Sequence, residues 1–230
     1  MKTIGLIGGM SWESTATYYR LINERIKTRL GGLHSAKLCL YSVDFDEIER
    51  LQSKGDWDQA GVIVADAAKR MERAGADFLV LCTNTMHKVV GQIQDDVTIP
   101  FLHIADTTAQ QICGQGMSKV GLLGTKFTVE DDFYKGRLSE HDIEVLIPCN
   151  GERDLVHRVI YDELCLGKIE DASRKAFVEI IGTLADNGAE AVILGCTEIA
   201  LLVQQEHTEI SLFDTTAIHA EAAVERALLV

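Results

Sequence analysis

The sequence predicts an α/β protein: two similar doubly wound domains, each with a four-stranded parallel sheet, and a functional site in the cleft between them. Four observations predict it. The run Phe78-Leu79-Val80-Leu81 is short and wholly apolar, as in a parallel strand covered on both faces. It enters a polar loop, Thr83-Asn84-Thr85, at the carboxyl end of a strand, where α/β folds hold their ligands. A near-copy follows in Gly188-Ala189-Glu190-Ala191-Val192-Ile193-Leu194-Gly195-Cys196-Thr197-Glu198, and aligning Gly75-Ala76-Asp77 with Gly188-Ala189-Glu190 sets Thr83 opposite Cys196. Finally, strands alternate with helices in the same order twice over, the pattern of a parallel sheet wound by helices.

Taken in order, residues 3–9 (TIGLIGG) read as a first strand closing in a glycine turn, with Ser11 as a helix N-cap. Tyr18, Ile22 and Ile26 share one helical face, and Gly31-Gly32 stops that helix. Residues 37–43 read as the second strand, followed by the acidic segment Asp44-Phe45-Asp46-Glu47. A long helix over about 57–74 ends at Gly75; then come the strand to Leu81, a helix near 85–94, and a strand at 99–104 opened by Pro100.

The second half repeats this order. Residues 119–125 resemble residues 2–8, and 144–148 form the second strand. Helices are expected near 152–165 and 170–187, then the strand to Leu194, a helix near 198–205 and a last strand at 210–213. A helix over 105–115 joins the halves, and a C-terminal helix over 215–228 should pack back on the first half. The expected domains are therefore residues 1–104 plus 212–230, and residues 105–211. No Pro- or Ser-rich linker separates them.

Composition narrows the function. With 47% hydrophobic residues the chain can bury a sizeable core, and its formal net charge of −13 argues against nucleic acid as a partner, since that needs a basic patch. No run of about eighteen apolar residues occurs, so no membrane partner is expected. Met1-Lys2-Thr3 leads straight into an apolar strand, which reads as no signal peptide. The 6 cysteines form no C-x-x-C pair, so neither a disulfide framework nor a zinc site is expected, and the default location is cytoplasmic. Most of these cysteines read as small buried hydrophobes. His103, His157 and His219 stand singly without metal-ligand spacing, and Trp12 and Trp57 read as packing residues.

Three stretches carry candidate chemistry. Gly8-Gly9-Met10-Ser11 joins a strand to a helix, a turn that offers backbone N–H groups to a small carboxylate, or is only a tight turn. It is neither a dinucleotide fingerprint nor a P-loop. Thr83-Asn84-Thr85 and Cys196-Thr197-Glu198 each set a hydroxyl or thiol at a strand end, followed by polar side chains at a helix start. A helix N-terminus lowers a thiol's pKa, so Cys196 is a candidate base; the bland alternative is an inert buried cysteine. Strand alternation turns Cys82 toward the core if Thr83 faces the site. His87, one helical turn beyond Thr83, suits a capping, supporting or catalytic role.

These residues resemble the aspartate/glutamate racemase family over the whole chain, in particular a bacterial branch that includes broad-specificity amino-acid racemases. The motifs that carry the resemblance are KTIGLIGGMSWEST at the start, CTNTMH at 82–87 and GCTE at 195–198. The resemblance implies a homodimer of two-domain subunits and racemisation at Cα without a cofactor, by one thiol from each domain. It implies that Cys196 and Thr83 are the catalytic pair. Met10, Ser11, Gln52, Asn84, Thr85, Thr197 and Glu198 would bind a small amino-acid substrate. Two departures stand out. Thr83 occupies the place of the first thiol. The bases that acidic-substrate members carry are missing from Asp44-Phe45-Asp46-Glu47-Ile48 and from Leu164-Cys165-Leu166-Gly167. The substrate is therefore acidic or broad and neutral. An amino-acid-binding protein on a racemase scaffold, or a one-cysteine decarboxylase or isomerase, is the alternative.

Overall fold

The computed structural model describes residues 1–229 and divides into two compact units, Met1–Ile104 with the stretch from His219 onward, and Ala105–Ile218. The first unit contains β1 (Ile4–Gly8), α1 (Trp12–Leu30), β2 (Leu38–Ser42), α2 (Phe45–Lys54), α3 (Trp57–Arg73), β3 (Phe78–Leu81), α4 (Val90–Asp96) and β4 (Phe101–Leu102). Its sheet is parallel throughout, in the order β2-β1-β3-β4. Alternation sends successive side chains to opposite faces. Ile4, Leu6, Phe78 and Val80 pack with Tyr18, Ile22 and Ile26 of α1, whereas Ile7, Leu79 and Leu81 pack with Val64, Ala67, Ala68 and Met71 of α3. Both faces are covered, which is why β3 reads as an unbroken apolar run.

The second half contains α5 (Ile104–Gly114), β5 (Lys119–Leu123), α6 (Lys126–Glu130), α7 (Asp132–Ser139), β6 (Glu144–Leu146), α8 (Asn150–Asp162), α9 (Asp171–Asp186), β7 (Ala191–Leu194), α10 (Ile199–Leu202) and β8 (Ser211–Asp214). Its parallel sheet has the order β6-β5-β7-β8, the same topology as the first. Leu123, Val192 and Leu194 pack with Val156, Val159 and Ile160 of α8 and with Phe177, Ile181 and Leu184 of α9.

The last element, α11 (Thr215–Leu228), starts in the second unit and runs into the first. There Ala220, Ala223, Val224 and Ala227 join the α1 side of the core, Lys2 donates to the carbonyl of Ala227 (2.8 Å), and Arg25 pairs with Glu221 (2.6 Å). The return begins at His219 and not at 212, because β8 pairs with β7 through Asp214 and holds residues 211–214 in the second sheet.

Other differences from the sequence reading have local causes. The segment after Asp44 is a helix: Asp44 accepts from the Asp46 N–H, and Asp46 and Glu47 complement the helix dipole in the first turn. The expected helix at 85–94 is a 3-10 turn, Thr85–Val89, followed by α4. Two short helices, α6 and α7, fill the β5–β6 connection, which carries too brief an apolar pattern to read. Trp12 is 68% exposed, since it lies off the buried stripe of α1, while Trp57 is half-buried beneath the Lys88 ammonium, 4.1 Å from its ring. Cys82 and Cys196 are buried, but Cys113 and Cys149 are exposed.

Candidate active site

In each sheet the chain leaves the first strand toward one edge and returns on its other side, so the strand order reverses between β1 and β3, and between β5 and β7. Ligand crevices of open α/β sheets lie outside the carboxyl ends of such strand pairs. In the first unit this point is flanked by Gly8–Ser11 and by Cys82–Thr85. Hydrogen bonds knit the two loops together: the Cys82 N–H donates to the Ile7 carbonyl (2.9 Å), Ser14 Oγ donates to the Cys82 carbonyl (3.3 Å), and the Gly9 N–H donates to Thr15 Oγ1 (2.8 Å). Ser11 caps α1, its Oγ accepting from the Ser14 N–H. Gly9 has φ 96° and lies so close to the second strand's end that a Cβ there would stand 2.2 Å from the Val43 carbonyl oxygen. Only glycine fits both demands. Ser14 and Thr15 escaped the sequence reading; the signal was a run of small hydroxyl residues one turn after the glycines.

Among the other candidate site residues, Met10 is buried on the α3 side of the core, and Gln52 of α2 is buried with its Nε2 donating to Met86 Sδ (3.1 Å). Thr83, Asn84 and Thr85 are all buried, Thr83 at 7% exposure. Cys82 points the other way, into the α1 core, where burial pushes its thiol far above the ordinary range and leaves it inert. His87 donates from Nδ1 to the Thr83 carbonyl (2.7 Å) and accepts at Nε2 from the Ile104 N–H (3.2 Å). The fold gathers histidines that stand apart in the sequence: the His87 ring lies 4.5 Å from His103 and 6.0 Å from His219. Burial first, then these two rings, hold His87 well below the usual imidazole range. Among the described residues no group of His, Cys, Asp and Glu is arranged to hold a metal ion.

The second unit repeats the place with other chemistry. Gly195 crosses so near β5 that its N–H reaches the Leu123 carbonyl at 2.6 Å, and a Cβ there would stand 2.8 Å from the same oxygen. This fixes the start of Cys196-Thr197-Glu198, all three buried. The Cys196 thiol donates to Glu198 Oε2 (3.0 Å), and Thr197 Oγ1 donates to the same oxygen (2.7 Å). Burial, then the Glu198 carboxylate and the neighbouring Cys165, push Cys196 well above the ordinary thiol range. The expected lowering by a helix N-terminus is thus overridden: α10 has only 4 residues, and a carboxylate two positions on holds the proton on sulfur. At rest Cys196 is a protonated thiol.

Beyond β2 a cavity of about 380 Å³ is lined by Asp44, Glu47 and Asp66 together with Tyr41, Val43 and Ile63, and none of the candidate site residues borders it. On the second unit's side, Leu164–Leu166 form a 3-10 turn closed by Gly167 and contribute no base.

Two doubly wound units of the same topology, each ending its third strand in a buried polar loop, one with a threonine and one with a thiol, define a two-unit α/β protein with a repeated strand end. The chain belongs to the Asp/Glu/hydantoin racemase family, whose model matches residues 7–223; it is a family of isomerases. The broad-specificity amino-acid racemase RacX of Bacillus subtilis is 22% identical over 96% of both chains. An Asp/Glu racemase candidate from Yersinia pestis has a similar structure, with a TM-score of 0.92, 55% identity and 100% of both chains covered. An aspartate racemase homologue from Pyrococcus horikoshii follows the fold at a TM-score of 0.85 with 36% identity over 99% of both chains.

Proposed function

We propose that this protein racemises amino acids by proton transfer at Cα without a cofactor, with Cys196 and Thr83 acting on opposite faces of one substrate. The observation that carries the reading is the duplicated strand end: one half presents a thiol hydrogen-bonded to a carboxylate, the other a threonine, at equivalent places. Racemisation needs one group to remove the α-proton and another to deliver one.

Cys196 first passes its proton to Glu198 along their hydrogen bond, and the thiolate takes the α-proton. The Thr83 hydroxyl delivers a proton to the other face while accepting one from a water. Glu198 returns its proton to solvent, which balances the cycle. Backbone N–H groups of the Gly8–Ser11 turn, with Ser11, Asn84 and Thr85, hold the α-carboxylate, and Met10, Gln52 and Thr197 complete the substrate contacts. The acidic stretch Asp44-Phe45-Asp46-Glu47, which offers no base where acidic-substrate relatives carry one, favours neutral or broad substrates over aspartate and glutamate, because a second carboxylate would meet like charge there.

The test is a racemisation panel of L- and D-amino acids followed by chiral chromatography, with Cα exchange in heavy water. Turnover of at least one neutral amino acid is expected; no turnover and no exchange across the panel would sink the reading. Binding by calorimetry without exchange would favour an amino-acid-binding protein, a reading that the threonine in place of the first thiol makes worth testing. Product analysis with substituted malonates and maleate tests the decarboxylase or isomerase reading.

The family resemblance supports a homodimer, which sedimentation velocity checks. Six cysteines without a C-x-x-C pair support a reducing, cytoplasmic location, which cell fractionation checks.

A further inference from the structure

We propose that His87 is the positioning residue of the Thr83 loop, a neutral imidazole that clamps the Thr83 carbonyl to the first residue of α5. The inference rests on the racemase reading only for the reaction that it serves.

Its geometry fixes the tautomer. A carbonyl oxygen can only accept, so the nitrogen 2.7 Å from the Thr83 oxygen carries the hydrogen. A backbone N–H can only donate, so the nitrogen 3.2 Å from Ile104 N is bare. An imidazolium could not make the second bond. The surroundings hold the ring in one orientation: Phe101 lies 5.5 Å away, centroid to centroid, and His103 4.5 Å away. His219 is held by the same logic. Its Nε2 donates to the Leu102 carbonyl (3.0 Å), and its Nδ1 accepts from the Tyr18 hydroxyl (2.9 Å).

The second half lacks the histidine. Ala200 stands where the repeat places His87, and Asp214 where it places His103. The Asp214 carboxylate caps α11 locally, accepting from the Thr216 N–H (2.9 Å) and the Ala217 N–H (3.1 Å). In the first half a histidine ties the start of the helix to the Thr83 carbonyl inside the loop; in the second the Thr215 hydroxyl ties the start of α11 to the Leu194 carbonyl (2.8 Å), before the loop begins, and no side chain of that kind reaches the Cys196 carbonyl among the hydrogen bonds described. The histidine tie to the loop itself sits in the half that carries a hydroxyl. An alcohol is a far weaker acid than a thiol, so proton delivery from Thr83 depends more on alignment.

Three variants separate the two bonds. His87→Asn keeps an amide N–H near the place of Nδ1, facing the Thr83 carbonyl. His87→Gln keeps an amide oxygen near the place of Nε2, facing Ile104. Ile104→Pro removes the Ile104 donor at the first helical position, where proline is tolerated. For proton delivery on the Thr83 face, His87→Gln should lose about tenfold or more in kcat with KM within about twofold, and the other two about threefold, the pattern of an interaction made in the transition state. Cα exchange on the Cys196 face should stay within about threefold of wild type in all of them, since no Cys196 partner is touched. Equal losses in His87→Asn and His87→Gln, or losses shared by both faces, would make His87 a fold-holding residue and overturn the proposal. If neither histidine variant folds, Ile104→Pro decides: a loss confined to the Thr83 face supports the clamp, and no loss or an equal loss on both faces overturns it. A wild type inert toward every amino acid overturns the racemase reading instead. Amide hydrogen exchange then decides the clamp: the Asn84–Met86 amides should lose protection in His87→Gln and keep it in His87→Asn, and equal behaviour in the two counts against it.

Discussion

The loops after β3 and β7 occupy the same place in the same topology, yet different chemistry holds them. Thr83-Asn84-Thr85 is secured from behind by a neutral histidine inside a cluster of aromatic rings. Cys196-Thr197-Glu198 is secured from within, by a carboxylate that takes both the thiol and the hydroxyl hydrogens. The symmetry of the repeat thus survives in the backbone and is lost in the proton inventory. One loop holds a proton on sulfur beside a ready acceptor; the other holds it on an alcohol whose neighbours fix position and not acidity. A racemase built this way should treat the two faces of Cα unequally, although the overall equilibrium constant stays that of any catalyst.

The largest expected effect is Cys196→Ala, which should lower Cα exchange in heavy water by about a thousandfold or more with either enantiomer, in keeping with loss of the acid–base group. Exchange that survives with both enantiomers would move the base elsewhere. Next comes Thr83→Ala. Racemisation should fall about a hundredfold, while exchange from the enantiomer that faces Cys196 persists. Thr83→Cys should speed abstraction from the other enantiomer. Equal rates for Thr83→Ala and wild type in both directions would erase the functional difference between the loops.

A third prediction uses pH to loosen one half before the other. Burial lowers His219 from the ordinary imidazole value to about 4, and lowers His87 as well. The unfolded chain binds these protons first, so the stability that the neutral rings supply is complete above pH ~6.5 and is lost as the pH falls toward 4. His219 alone makes this about 3 kcal/mol at 1.36 kcal/mol per pKa unit. The groups that face it are Tyr18, His87 and the Leu102 carbonyl. Amide exchange at β3 should accelerate between pH 6 and pH 5 before that at β7; simultaneous loss would show that the cluster does not set the first unit's stability.

The smallest effect sharpens the second loop. Glu198→Gln removes the charge that, after burial, raises the Cys196 thiol, so its alkylation profile should shift to lower pH. Mass spectrometry of the Cys196 peptide separates this from the exposed Cys113 and Cys149. An unshifted profile would mean that burial alone sets the thiol.

Much of the candidate site's placement in the fold was legible in the sequence because strand-end loops follow directly from apolar runs. Phe78–Leu81 and Ala191–Leu194 announce buried parallel strands, and the residues after them must lie at the sheet's carboxyl edge. The direction of Cys82 followed from alternation alone. Periodicity located α1, α3, α9 and α11, whose buried stripes are long. It missed α2, α6 and α7, where capping and short-range packing decide over a few residues.

By itself, then, the sequence determined two doubly wound sheets, the strand ends that carry Thr83 and Cys196, and the family to which they belong, since each rests on local pattern and repeat. Only the tertiary structure decided the protonation of Cys196, because that depends on burial and on the direction in which the Glu198 carboxylate turns. Only it joined His87, His103 and His219, which belong to three separate stretches of the chain and meet where the 3-10 turn after β3, the end of β4 and α11 come together. Local patterns report which face a residue takes; pKa values and hydrogen-bond partners depend on what stands opposite, and that is set by contacts distant in sequence.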